Sequence, residues 1–320
     1  MKAKTIVIIF ALTIAFDSFG QGKFKFPEAT LLEEVVYAMS NDTVFNAGLL
    51  FHTKKELAKP IAIIWVHGWG VNFYSPSYIT IGRAFAERGY MCISVNTRMH
   101  DLANVQGYRN DKRVRGGGYW GIASDQTKDI SAWIDFVESK GFKKIILVGH
   151  SAGAAAVRNF QAEKQDNRVI GIVLASGSVD PSPPIDSSQY VQAVPLLFDN
   201  KGEELIKDPK RSFPSYISAA TFMDIANELA EYKDFFGVHI ANPGITKIHC
   251  PILAFYGTHD DIGNENTLEL LKTSIKKQPK RPRSVTTTMI KNTDHMYMGE
   301  EMQVADVITK WIDDILKSKN

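Results

Sequence analysis

The sequence predicts an α/β fold whose sheet is mostly parallel and covered by helices on both faces. Three observations carry this. Short, wholly apolar runs recur along the chain, among them residues 61–66 (IAIIWV), 145–148 (IILV) and 251–256 (PILAFY). Such runs do not alternate with polar residues, so they suit strands buried on both sides. Between them lie longer segments whose apolar residues fall three and four apart, the period of a helix with one buried face. Strand and helix patterns then alternate, which is the signature of parallel strands joined by crossover helices.

Taken in order, the chain opens with Lys2 and Lys4, an apolar run over 5–16, and Asp17, Ser18, Phe19 and Gly20. This reads as a secretory signal peptide of about residues 1–20, leaving a mature domain of 21–320 in the periplasm or outside the cell. The run is shorter than the roughly 20 residues that span a bilayer. No cysteine lies at the cleavage region, which argues against a lipoprotein. Alternating runs near 32–37 and 44–51 predict antiparallel strands at the start of the sheet. A strand at 61–66, a helix over 78–87 and a strand at 91–95 follow. Residues 98–122 are polar, with Arg113, Arg115 and Gly116, Gly117 and Gly118 ahead of Tyr119 and Trp120. Two readings stand for this loop: a flap whose arginines meet an anionic substrate group, or a solvated surface loop. A phosphate-binding glycine loop is not expected, because no Lys-Ser/Thr and helix start follow. The helix over 127–139 puts Ile130, Trp133, Ile134 and Val137 on one face. Then come a strand at 145–148, a helix over 152–161 and a strand at 169–175. The rhythm breaks over 177–248, which opens with Pro181, Pro183 and Pro184 and carries helical patterns at 189–198 and 219–236. Strands at 251–256 and 284–290 resume the pattern. The last helix places Val304, Val307, Ile308, Trp311, Ile312 and Ile315 on one stripe.

The chemistry concentrates at the ends of the apolar runs. Residues 145–148 lead into Gly149-His150-Ser151-Ala152-Gly153, a G-x-S-x-G pattern between a strand and a helix start. A serine hydroxyl is a poor nucleophile and must be presented on a sharp turn, within reach of a base. Glycines at both ends of the pentapeptide omit side chains that would collide across that turn. The amide of Ala152, at a helix N-terminus, is placed to stabilise a developing oxyanion. Residues 61–66 end at His67-Gly68-Trp69-Gly70, which offers a second donor, the Trp69 amide. Residues 251–256 end at Gly257-Thr258-His259-Asp260, and 284–290 lead to Asn292-Thr293-Asp294-His295. Nucleophile, acid and histidine therefore follow one another in the order Ser, Asp, His.

These motifs, HGWG, GHSAG, GTHD and NTDH, resemble those of the α/β-hydrolase superfamily from about residue 61 to the C-terminus. The resemblance implies a mostly parallel, eight-stranded-type sheet flanked by helices, with 177–248 as a helical cap insertion that excludes water and shapes specificity. It implies a Ser151–His295–Asp260 triad with Trp69 and Ala152 as oxyanion donors. Asp261 is the rival acid, expected to face solvent or cap the following helix, and Asp294 is expected to be structural. His150 is expected to pack beneath the sheet end and His67 to buttress its loop, while His100 and His259 remain ambiguous loop residues. Residues 94–101 (SVNTRMHD) look like a strand-plus-RxHD feature of serine esterases and lipases. The loop after them is longer than the glycine-rich turn usual there. Of the cap's apolar residues, Leu196, Leu197, Phe198, Phe213, Tyr216, Phe222, Phe235 and Phe236, most are expected to pack the cap and one or two to reach substrate.

A serine nucleophile disfavours branches that form an alkyl ester on aspartate. The expected activity is hydrolysis of carboxylic esters through an acyl-enzyme, with a small-molecule or saccharide-linked ester as substrate. A peptidase or amidase, an acyltransferase, and a non-catalytic binding protein on the same fold are the alternatives. No cofactor or metal is expected, since no His/Cys/Asp/Glu spacing suggests a ligand set. The net charge of +2, in a chain that is 22% charged, gives no reason to expect a nucleic-acid partner. The two cysteines, Cys92 and Cys250, fall on strands that the resemblance separates by several others. A disulfide needs Cα atoms within about 7 Å, so two buried free thiols are expected. The oligomeric state is left open.

Overall fold

A computed structural model describes residues 31–53, 59–109, 112–181, 187–207 and 215–317. The predicted signal segment, Pro183, Pro184 and Phe213 lie outside the described residues. Among the described residues no helix is long and apolar enough to cross a membrane.

Eight strands form the main sheet: β1 (Leu31–Met39), β2 (Phe45–Thr53), β3 (Ala62–Val66), β4 (Met91–Val95), β7 (Ile145–His150), β8 (Val169–Ala175), β11 (Ile252–Gly257) and β12 (Val285–Ile290). Their order is β1-β2-β4-β3-β7-β8-β11-β12. Strand β2 runs against both of its neighbours, and every other pair is parallel. The reason is visible in β3. Ile63 and Trp65 join the core on one face of the sheet, while Ala62, Ile64 and Val66 join the core on the other. A strand apolar on both faces needs helices on both. Helices α1 (Pro76–Glu87) and α8 (Glu301–Lys317) cover the first face. Helices α2 (Gln126–Ser139), α3 (Ala152–Lys164) and α7 (Glu265–Lys276) cover the second. Consecutive strands β3 and β4 lie on one side, and β7 opens the other. The C-terminal ends of β3 and β7 therefore flank a topological switch point, where open α/β sheets place their sites.

Several local expectations are corrected. Residues 98–122 are not an irregular loop, because β5 (Asn104–Arg109) and β6 (Lys112–Gly116) pair as antiparallel strands. Arg113 is exposed. Arg115, also exposed, lies 5.1 Å over the Trp120 ring and 3.8 Å from the Glu203 carboxylate, so a side chain of the insertion is its anion. The insertion carries α4 (Ser187–Phe198), a small hairpin of β9 (Leu205–Lys207) and β10 (Tyr216–Ser218), α5 (Ala219–Ala226), α6 (Ala230–Lys233) and a 3₁₀ turn. The single helix expected over 219–236 is two, parted at Asn227, where α5 ends. Ile206, Ile217, Ala219 and Phe222 give the insertion a small core of its own, whereas Phe235 and Phe236 join the main core. Phe198 does neither and is 83% exposed. The helix expected to follow Asp261 is α7. Its buried stripe is narrow, Leu268, Leu271, Ser274 and Ile275, and its start is marked by a polar capping box on Asn264. Asn264 is therefore the cap, and Asp261 faces solvent, one of its two expected placements. Cys92 in β4 and Cys250 ahead of β11 are unbridged, with three strands between β4 and β11, and Cys250 is half-buried rather than buried.

Candidate active site

Ser151 sits between β7 and α3 at φ 54°, ψ −122°, a conformation few non-glycine residues adopt. Holding it there costs of order 1–3 kcal/mol. The bond from its amide to the Ala175 carbonyl, 2.8 Å, ties the turn to β8. The flanking glycines are required by contact. A Cβ on Gly149 would lie 2.2 Å from the Gly153 carbonyl oxygen, and one on Gly153 would lie 2.5 Å from the carbonyl oxygens of Val66 and His67. The elbow closes only where backbone meets backbone.

Asp260 follows β11 and His295 follows β12. Parallel pairing of these strands brings their ends together: His295 Nδ1 lies 3.0 Å from Asp260 Oδ1. Since the carboxylate can only accept, Nδ1 carries the proton and Nε2 keeps its lone pair. The Asp260 carboxylate is completely buried and fully engaged. The Ile262 amide donates to Oδ1 at 2.9 Å and the Ser176 hydroxyl donates to Oδ2. With its proton committed there, Ser176 Oγ accepts from the Tyr297 hydroxyl at 2.5 Å. Burial pulls the Asp260 pKa up, but the bonds from His295, Ser176 and Ile262 outweigh it and hold the carboxyl below its ordinary value. Asp261 is exposed and near enough that a ligand atom from each of Asp260, Asp261 and His295 falls within 4.8 Å of the others. Asp294 is exposed and caps its own loop, accepting from the Met296 amide at 2.9 Å.

The turn after β3 packs directly on the nucleophile. A Cβ on Gly68 would come within 3.0 Å of Ser151 Cβ and 3.5 Å of its Oγ. His67, buried beneath the turn, faces the Gly68 carbonyl with Nδ1 at 2.6 Å and accepts the Thr97 amide at Nε2, 3.1 Å away. The expected buttressing role describes these bonds. Trp69 follows Gly68, and Ala152 is the first residue of α3, whose amide has no partner inside the helix. Both line a single cavity of about 680 Å³. It runs along one face of α3, past Ala155, Ala156 and Asn159, beneath Met223 and Glu228 of the insertion. His100 is engaged by Asp101 at 2.8 Å, and His259 is exposed.

His150 is fully buried. Its Nε2 lies 2.8 Å from the His295 carbonyl oxygen and so must carry the proton, while Nδ1 accepts from the Tyr78 hydroxyl at 2.6 Å. Its ring centroid is 4.7 Å from that of His295, which places the residue before the nucleophile against the candidate base. Sequence reasoning missed Ser176, Tyr297 and Tyr78. The legible hints were a serine closing an apolar strand and a tyrosine two residues after the histidine; nothing local marks Tyr78.

Burial pushes the imidazole of His67 down to about 4 and that of His150 down to about 3. Both are neutral in the folded protein and take up protons in the unfolded chain below its ordinary histidine pKa of about 6.5. Their contribution to stability is therefore complete above about pH 6.5 and is lost as pH falls toward the folded values. Each contributes about 1.4 kcal/mol per pH unit across that window. Denaturant unfolding at pH 7 and pH 5 is expected to show a marked loss at pH 5, and His150→Gln should flatten the dependence. An equal slope in that variant would contradict the assignment.

The comparisons with known proteins follow the same geometry. No curated protein sequence matches the chain. Among solved structures, DcsB in complex with its substrate analogue superposes with a TM-score of 0.63 at 15% identity, covering 88% of this chain and 99% of that one. Est1E from Butyrivibrio proteoclasticus, with ferulic acid bound, gives 0.59 at 13% identity over 87% and 98%. The esterase domain of a Rhodothermus marinus protein gives 0.54 at 16% identity over 88% and 97%. At such identities the likeness shows the fold. The sequence match is to the alpha/beta hydrolase family over residues 63–307, a span that begins in β3 and takes in the elbow, the insertion and both ends of the Asp260–His295 pair. The chain belongs to the alpha/beta hydrolase family, and is a hydrolase by that membership.

Proposed function

We propose that this hydrolase is an exported serine esterase that cleaves carboxylic esters through an acyl-enzyme. Ser151 Oγ attacks the ester carbonyl carbon and passes its proton to His295 Nε2. Asp260 holds the other ring nitrogen and stabilises the imidazolium. The negative charge that forms on the carbonyl oxygen rests on the Trp69 and Ala152 amides. The intermediate collapses with the C–O bond breaking, and His295 returns its proton to the departing alkoxide. Water, deprotonated by the same nitrogen, then attacks the acyl carbon and releases the acid and the free serine.

The observation that carries this reading is the 3.0 Å Asp260–His295 bond at the strand ends next to the strained serine turn. The cavity that starts at Trp69 and Ala152 supports a substrate arm lying along α3. The esterase neighbours favour esters over other acyl compounds, and the amino-terminal segment favours export.

The test is turnover of p-nitrophenyl acetate and butyrate, together with a fluorophosphonate probe. Wild-type protein is expected to turn over the esters and be labelled on Ser151, and Ser151→Ala to do neither. An unlabelled, inactive wild type would leave a binding protein on this fold as the better reading.

A further inference from the structure

We infer that His150 is a positioning residue for the base: with Tyr78, it fixes the main chain of His295 so that the imidazole meets both Asp260 and Ser151. This rests on the reading of His295 as the base. In the elbow, Ser151 leaves the strand at φ 54° while His150, the last residue of β7, is fully buried, so the residue beside the nucleophile points into the protein. There its Nε2–H bonds the carbonyl of His295 itself, at 2.8 Å. Asp260 constrains the rotation of the His295 ring at Nδ1, and His150 constrains the backbone from which that ring projects. Two points of attachment define an orientation that one leaves free.

The device depends on one tautomer. The Tyr78 hydroxyl, 2.6 Å from Nδ1, supplies the donor that keeps the proton on Nε2. Tyr78 comes from α1, is 1% exposed, and sits with its ring 5.5 Å from that of His150 and 5.5 Å from that of Trp65. Tyr297 packs its ring 5.4 Å from His150 on another side. The imidazole is thus held by rings as well as by two hydrogen bonds, and its neutrality spares His295 a like charge at 4.7 Å when the imidazolium forms. Without the Tyr78 proton, the ring can flip tautomer and turn a lone pair on the His295 carbonyl.

The test uses Tyr78→Phe, His150→Leu and His150→Gln in the full chain, beside Ser151→Ala and His295→Ala. Tyr78→Phe and His150→Leu are expected to lower kcat for p-nitrophenyl butyrate about 10- to 100-fold, the effect of misplacing a reacting group by about 1 Å. KM should hold, and the fluorophosphonate labelling rate should fall with kcat. His150→Gln, whose amide can donate near the Nε2 position, should recover much of the loss. With kcat taken per serine labelled at completion, a loss of fold, which would lower the labelled fraction alone, does not mimic the effect, and rescue by His150→Gln points to the donor. If His150→Leu does not fold, Tyr78→Phe decides. Unchanged kcat and an unchanged labelling rate in a folded Tyr78→Phe or His150→Leu variant overturn the inference. Wild-type turnover by His295→Ala would instead overturn the reading of the base.

Discussion

Replacing His295 with alanine is expected to lower kcat for p-nitrophenyl butyrate by about 10⁴- to 10⁶-fold with little change in KM. The imidazole is used only when a proton moves, so its loss removes an interaction of the transition state and leaves ground-state binding in place. Asp260→Asn should cost about 10⁴-fold by a different route. The asparagine amide cannot accept from His295, Ile262 and Ser176 as the carboxylate does, and a ring offered an N–H turns to the wrong tautomer. Asp261 stands close enough to supply a replacement carboxylate after a loop adjustment. The doubly substituted Asp260→Asn, Asp261→Asn protein should therefore fall below Asp260→Asn alone. The pair Ser151→Ala with His295→Ala should be no worse than either single change, because the groups act as a unit. Steady-state kinetics on the five proteins would check the set. Independent, multiplicative losses for Ser151 and His295 would show that they do not share a proton.

Much of this geometry was legible because the relevant residues obey local rules. A G-x-S-x-G elbow needs its glycines wherever it occurs, and here carbonyl oxygens 2.2–2.5 Å from the missing Cβ positions explain both. Strand ends were marked by abrupt change from apolar to polar residues, which placed Asp260 and His295 at one rim once the sheet was taken as parallel. What stayed hidden was decided by long-range contact. Helix α7 was legible only as a helix following Asp261, because its narrow buried stripe gives no bounds. The hairpin in 98–122 read as a loop because its residues are polar and its pairing depends on main-chain bonds. Tyr78 and Tyr297 went unmarked, since their hydroxyl partners lie 72 and 121 residues away. Arg98 was read only as part of a motif. Its three acidic partners, Asp42, Asp125 and Asp129, fall in the β1–β2 turn, at the N-cap of α2 and inside α2.

That last cluster gives the largest stability effect expected outside the site. Arg98 is 4% exposed at the end of β4. Its backbone amide, Nε and Nη2 all donate to Asp129 at 2.8–3.0 Å, and its remaining donors reach Asp42 and Asp125 at 3.0 Å. Burial raises the Asp42 pKa, but bonds from Arg98 and Ser40 outweigh it and hold the carboxyl well below the usual carboxylate range. Asp129 is pulled up by its deeper burial against the same guanidinium. Arg98→Met should destabilise the fold by about 3–5 kcal/mol, because it leaves a buried carboxylate without its partner. Arg98→Lys should restore only part, since an ammonium cannot reach three carboxylates with a planar fork. The pH dependence identifies the cause. In Arg98→Met the burial of Asp129 is unopposed, so its folded pKa rises further above the unfolded value of about 3.9. The deficit relative to wild type should then be greater at pH 8 than at pH 5, where Asp129 can take a proton. Histidine effects cancel in that difference. Denaturant unfolding of both proteins at the two pH values measures it, and a pH-independent deficit would mean that lost packing, and not an orphaned charge, is what Arg98 prevents. The consequence for the site is direct. The Arg98 carbonyl accepts the Gly117 amide at 2.8 Å, and the preceding Thr97 amide holds His67 under the Gly68–Trp69 turn. An ion cluster remote from the serine thereby sets the floor on which one of the two proposed oxyanion donors stands.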